Sequence, residues 1–380
     1  MKAIIAACIL AVSFSAGSVV TAADWPTWRG DSARSGYTAD ELPAKLKRRW
    51  SFHPIHAPSP AWPRDDRMSF DRASHVVVAK DVVCFGNSVD GTVTALNAAT
   101  GAGRWTFMTG GPVRFAPVVW KDRLFVVSDD GFLYALALSN GKLIDRWRGG
   151  PSDDRVLGNT QIISKWPARG GPVIHDGLLY WGAGIWQSEG IFIRAMNPDT
   201  GKIVWTNDSS GGIDMPQPHG GANAKSGVSA QGYLLANVDR LFVPTGRAVP
   251  AAFERSTGKF DYYRLQENTR RGDTSAMVFG ELLYNGGYAY RTDDGSMLAD
   301  RVVGTVAQFP GGVVHGASGQ LRALKPVLKD GTDRKGNATK VPAHESLWNI
   351  SNVPTGTAPI VAGHTAVTSA GNRIGTIDLT

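Results

Sequence analysis

The chain has 380 residues with 45 Gly, 21 Pro and 12 Trp, and only 19% are charged; a glycine share of about 12% against a usual 7%, beside so many indoles, excludes both a disordered chain and a helical bundle. Two cysteines exclude a disulfide-stapled scaffold, a Cys-rich zinc site and covalently attached c-type haem. The net charge of +7 is spread along the chain and forms no basic run, which gives no footing for nucleic acid and fits a mild attraction to anionic ligands or surfaces.

Residues 1–23 have the form of a secretory signal. Lys2 precedes the apolar stretch Ala3 to Val12, and small residues end the segment at Thr21-Ala22-Ala23. The mature chain is expected to start at Asp24 and to be exported, to the periplasm or beyond. The apolar stretch is too short for a span of about 20 residues, and no later segment qualifies. Export leaves Cys84 as the one mature cysteine, and its place in Val82-Val83-Cys84-Phe85 reads as a buried strand thiol.

From residue 76 the chain repeats. Each unit has an apolar pair, a turn, an apolar run, a short alternating run, and a Gly turn followed by an aromatic residue. The first copy is Val76-Val77-Val78, Val82 to Phe85, Asp90-Gly91, Thr92 to Leu96, Thr100-Gly101 and Trp105. The second ends at Asn140-Gly141 and Trp147, the third at Thr200-Gly201 and Trp205, and the fourth at Thr257-Gly258 and Tyr262. A fifth carries Leu282-Leu283-Tyr284 and Asp294-Gly295; weaker copies span Val313 to Leu324 with Trp348, and Pro359 to Leu379. Period-two alternation punctuated by Gly predicts a four-stranded antiparallel blade, and blades that cannot bury both faces alone stack into a β-propeller. The Trp after each Gly turn then packs between blades.

The ends predict closure. Residues 47–52 read as a fourth strand lacking its first three, and the last unit, with strands near 359–362, 365–370 and 374–379, lacks its fourth. Seven blades are expected, eight being the alternative, with the N-terminal strand completing the last blade and removing an exposed edge. Residues 24–380 form one domain on this reading. Thr380 falls where a Thr-Gly turn would continue, so a longer native chain is also expected.

The pattern Ala-Leu-x-x-x-Thr-Gly-x-x-x-Trp of Ala95 to Trp105, and Asp24-Trp25-Pro26-Thr27-Trp28-Arg29-Gly30 with Arg34-Ser35-Gly36, resemble the pyrroloquinoline-quinone (PQQ)-like propeller family and its exported bacterial members. The resemblance implies one of two functions. Non-catalytic members resemble the outer-membrane assembly scaffold lipoprotein; the others are PQQ- and calcium-dependent alcohol dehydrogenases. The dehydrogenase branch carries two adjacent cysteines over the quinone, which one mature cysteine cannot supply, and its Asp base and calcium-binding Glu and Asn find no matching motif. A non-catalytic binding or scaffold protein with no cofactor is therefore the leading expectation, and a quinoprotein dehydrogenase the alternative. Gly-x-Ser-x-Gly, His-Glu-x-x-His and phosphate-loop motifs are all missing.

The insertions point to a binding face. In a propeller the connections between blades and the loops between second and third strands open on one side, which is where 53–71, 149–168, 183–190 and 208–230 fall. Only 325–346 falls on the other. Arg72, Arg114 and Arg169 each stand just before an inner strand, so pseudo-rotation should bring them together at the channel mouth, where they could take a carboxylate or phosphate. Pairing with Asp71, Asp153 or Asp154 is the competing expectation. Trp166 and His219 are the expected loop-borne contacts, and the ligand is a protein partner or a small anion.

Overall fold

The computed structural model describes residues 23–380 apart from 44, 64–67, 69, 159, 218–221, 266–271, 303, 333–335, 357, 372 and 380. Seven blades surround one axis. Blade 1 is built from Val77–Ala79, Val82–Gly86, Thr92–Asn97 and Gly103–Met108, and blade 2 from Val118–Trp120, Arg123–Val127, Phe132–Ala137 and Leu143–Arg148. Blade 3 uses Gly170–His175, Leu178–Ala183, Phe192–Met196 and Ile203–Asn207; blade 4 uses Leu235–Ala236, Arg240–Val243, Ala251–Glu254 and Phe260–Tyr262. Blades 5 and 6 begin with inner strands Ala276–Phe279 and Val306–Phe309, and blade 7 contains Ile360–Ala362, Thr365–Ala370 and Arg373–Asp378. These bounds follow the repeat.

Position within a blade explains the hydrophobic pattern. Val82–Gly86 lies between two blades and is buried at every residue, whereas the outer strand Gly103–Met108 alternates exposed and half-buried residues. Cys84 sits within the buried strand, and burial pushes its thiol up to about 12, so it is inert at neutral pH. Apolar clusters bridge successive blades around the ring from blade 1 to blade 7. Between blade 7 and blade 1 the cluster is smaller: Val83, Phe85 and Leu96 of blade 1 are joined by Trp50.

Closure does use an N-terminal strand paired with the last blade, but the strand is Tyr37–Thr38, lying parallel to Ile360–Ala362 on the inner side. The segment expected for that role, 47–52, joins no sheet, and Arg373–Asp378 forms the outer edge of blade 7 among the described residues. What 47–52 supplies is side chains. Trp50 packs on Gly101 and donates its indole N–H to Ala98 O at 2.9 Å, and Phe52 meets Phe85 edge-on at 5.4 Å. Those are the contacts that an outer-strand aromatic of one blade makes with the next.

Residues 25–38 form a strap beneath the channel that reaches all seven blades. Trp25 exchanges main-chain bonds with Val78; Pro26, Ser32, Ala33, Ser35 and Gly36 offer carbonyls to the N–H groups of Val119, Ala236, Val278, Gln308 and Val361. Arg34 reaches blade 3 through Pro172 O at 2.9 Å and blade 4 through Leu234 O at 2.9 Å. It is wholly buried among carbonyls, and burial lowers its pKa to about 10.

Candidate functional site

The insertions 53–71, 149–168 and 208–230 precede inner strands, and 183–190 joins the second and third strands of blade 3, so the chain direction puts all four at the same end of the propeller. They are folded and not merely long. Arg155–Gly158 pairs with Gln161–Ser164, and Asp214–Pro216 with Asn223–Lys225. On the opposite side, Gln320–Thr332 and Ala338–Ser351 of blade 6 form the 13-pair ribbon that carries 325–346.

At the base of the insertions two arginines converge on Asp129. Arg169 donates from Nε and Nη2 to its two carboxylate oxygens at 2.8 and 2.7 Å, and Arg114 Nε reaches the same carboxylate at 2.6 Å. Arg114 Nη1 also donates to Asp71 at 2.5 Å and to Ser59 O at 2.9 Å. All four side chains are at least nine-tenths buried. Burial opposes the Asp129 charge, but Arg169 and Arg114 more than offset it and hold this carboxyl below the usual aspartate range. At Asp71, hydrogen-bonded to one arginine side chain, burial wins and the carboxyl stands above that range.

The structure therefore brings Arg114 and Arg169 together, with Asp71 and Asp129 balancing their charges. Arg72, next in the chain, is exposed. Trp166 is 5% exposed; its indole N–H donates to Glu189 O at 2.6 Å, and Lys165 lies over its ring. His219 lies outside the described residues. Asp129 was missed because Asp129-Asp130-Gly131 reads as hairpin turn chemistry. The usable signal was the acid at 129 where the same repeat position of blade 1 has Val89.

Contacts tie the insertions into a circuit. Ala61 N–H donates to Asp71, and Ser164 N–H donates to Asp129 O. Lys165 pairs with Glu189, and Ser229 Oγ donates to Ile185 O. Gln231, held to Ser229, accepts from the Trp62 indole at 3.1 Å. Among the described residues, five large apolar side chains still face solvent on these loops: Ile55 at 92%, Trp62 at 36%, Leu157 at 79%, Ile162 at 63% and Trp186 at 37%.

The axis below is filled. Tyr233 stacks on Trp28 at 4.0 Å with Arg34 over its ring, and Phe70 stacks on Phe115 at 4.7 Å. Tyr233 Oη accepts from Ala116 N–H at 2.8 Å and lies 2.6 Å from His75 Nδ1, so one side chain from the blade 3–4 junction spans to blades 1 and 2.

Residues 18–167 match the family model described as outer membrane protein assembly factor BamB. BamB from Moraxella catarrhalis superposes with a TM-score of 0.51 at 15% identity, over 78% of this chain and 81% of that one. The fold is that of the PQQ-like β-propellers. The quinohemoprotein alcohol dehydrogenase from Comamonas testosteroni is similar too, with a TM-score of 0.55 at 14% identity, over 94% of this chain and 71% of that one. No curated protein sequence matches. These likenesses are of fold, so the two functions implied by a PQQ-like propeller have to be weighed on this chain's own residues. A cavity of about 10 Å³ between Asp71, Ser74, His75, Arg114 and Phe115 has room for one water and none for a planar quinone. Among the described residues no three His, Cys, Asp or Glu side chains are grouped to hold a metal ion. Among the described residues, those lining the channel do not fit PQQ and calcium.

Proposed function

We propose that this PQQ-like propeller is an exported, non-catalytic scaffold that binds a protein partner on its insertion-bearing face. The observation that carries the reading is the combination of a braced set of loops exposing Trp62, Leu157, Ile162 and Trp186 with an axis filled by aromatic rings. Preorganised loops with exposed aromatic and aliphatic groups suit protein recognition, because little ordering entropy remains to be lost on binding. Export to the periplasm or beyond, after removal of residues 1–23, belongs to the same proposal. The charge on Arg114 and Arg169 is already balanced, so on this reading they and Trp166 hold the face in shape. Arg72 is exposed on the same face.

A photoreactive residue placed at Leu157 or Ile162 in the exporting host is expected to give a discrete protein adduct. The same residue at Lys121, in the exposed turn on the other side, is expected to give none. Equal adducts from both sides, or none from either, would overturn the reading. Calcium-dependent reconstitution with PQQ that confers dye-linked alcohol oxidation would replace it with the dehydrogenase function.

A further inference from the structure

We propose that Asp129 is the positioning residue that couples the 53–71 and 149–168 insertions, so that the binding face responds as one unit. The inference deepens the scaffold reading and rests on it for its functional meaning, but its geometry stands alone. Asp129 belongs to neither insertion; it lies in the loop between the second and third strands of blade 2. Its carboxylate fixes Arg114, whose Nη1 holds Ser59 O and Asp71, and Asp71 in turn accepts from Ala61 N–H. That arm secures 53–71. The other arm secures 149–168: Asp129 O accepts from Ser164 N–H at 2.8 Å, and Arg169, at the exit of the insertion, is held bidentately by the same carboxylate.

One acid thus answers two guanidiniums that serve different loops. One carboxylate oxygen accepts from both Arg114 Nε and Arg169 Nη2 while the other accepts from Arg169 Nε. Both guanidiniums are buried, so it is the shared negative charge, as well as these bonds, that holds them in place together. Movement of either loop should therefore be felt at the other.

The decisive variant is Arg169→Gln. The Arg169 side-chain hydrogen bonds run to Asp129, so a purely local role predicts faster hydrogen exchange only at 149–168 amides such as Ser164. Coupling through Asp129 predicts that Ala61 N–H also exchanges faster, by at least about tenfold, since a hydrogen bond to a charged group contributes about 1.5–3 kcal/mol. Leu283 in blade 5 should be unchanged in the same protein, which controls for global loosening. Arg169→Lys, which keeps the charge, should leave Ala61 closer to wild type and serves if the Gln variant does not fold. Unchanged exchange at Ala61 in a folded Arg169→Gln protein overturns the coupling. The measurement uses no partner, so its failure is distinct from failure of the cross-linking experiment.

Discussion

At the scale of single residues, burial sets the charge state of His75. Its Nδ1 lies 2.6 Å from Tyr233 Oη, which also accepts from Ala116 N–H and whose own O–H can donate to a neutral imidazole. Burial, helped by the nearby Arg29 cation, lowers the His75 pKa from 6.5 to about 4. The unfolded chain binds the proton near 6.5 and the folded chain only near 4, so this histidine's contribution is complete above pH 6.5 and is lost as pH falls toward 4. The loss amounts to about 3 kcal/mol at most, taking 1.36 kcal/mol per pH unit. Urea denaturation at pH 7.5, 5.5 and 4.5 should therefore show wild type losing stability faster than His75→Gln. Parallel pH profiles for the two proteins would mean that the histidine titrates normally.

At the scale of elements, the Gly turn and the aromatic residue of the previous blade act as one joint. Gly141 has φ +70, and a Cβ there would come within 2.5 Å of the Trp105 ring, whose indole N–H donates to Leu138 O at 2.9 Å. Gly177 has a similar φ of +74 with nothing near the same position. Gly177→Ala should cost about 1–2 kcal/mol from backbone conformation alone, and Gly141→Ala about 1–3 kcal/mol more from overpacking the joint. Chemical denaturation of the pair isolates the second contribution, and equal losses would show that the Trp ring gives way freely. This joint also explains what the sequence made readable. A constraint repeated at Trp105, Trp147 and Trp205 leaves a periodic trace, so blade count and strand positions could be read from it. The strap meets the blades largely through its main-chain carbonyls, which call for no particular side chain and leave no period. Asp129 meets Arg114 and Arg169 from 15 and 40 residues away, a convergence that only the ring geometry creates.

At the scale of the whole molecule, the ring is closed by two devices, neither of which is a complete fourth strand. Neighbouring blades elsewhere share apolar clusters, but at the seam between blades 7 and 1 the cluster joins Val83, Phe85 and Leu96 to Trp50. The strap supplies what the seam lacks, binding Val78 of blade 1 at one end and Val361 of blade 7 at the other. Its buried arginines reach across: Arg29 donates to carbonyls of Val306 and Pro359, and Arg34 to those of Pro172 and Leu234. Two substitutions separate these contributions. Arg34→Ala removes a wholly buried guanidinium together with its four hydrogen bonds and should cost at least about 3 kcal/mol, given about 1.5–3 kcal/mol for a hydrogen bond to a charged group. Deleting residues 24–36 should do more. The main-chain bonds to Val78, Val119, Ala236, Val278, Gln308 and Val361 are lost with the arginines; at about 1 kcal/mol each, those bonds alone approach the 5–15 kcal/mol that holds a typical domain folded. The deletion variant is therefore expected to lose its cooperative thermal transition and to bind a hydrophobic dye, with strand content partly retained. If it instead melts within a few degrees of wild type, the blades close the ring through their own packing and the strap only decorates it.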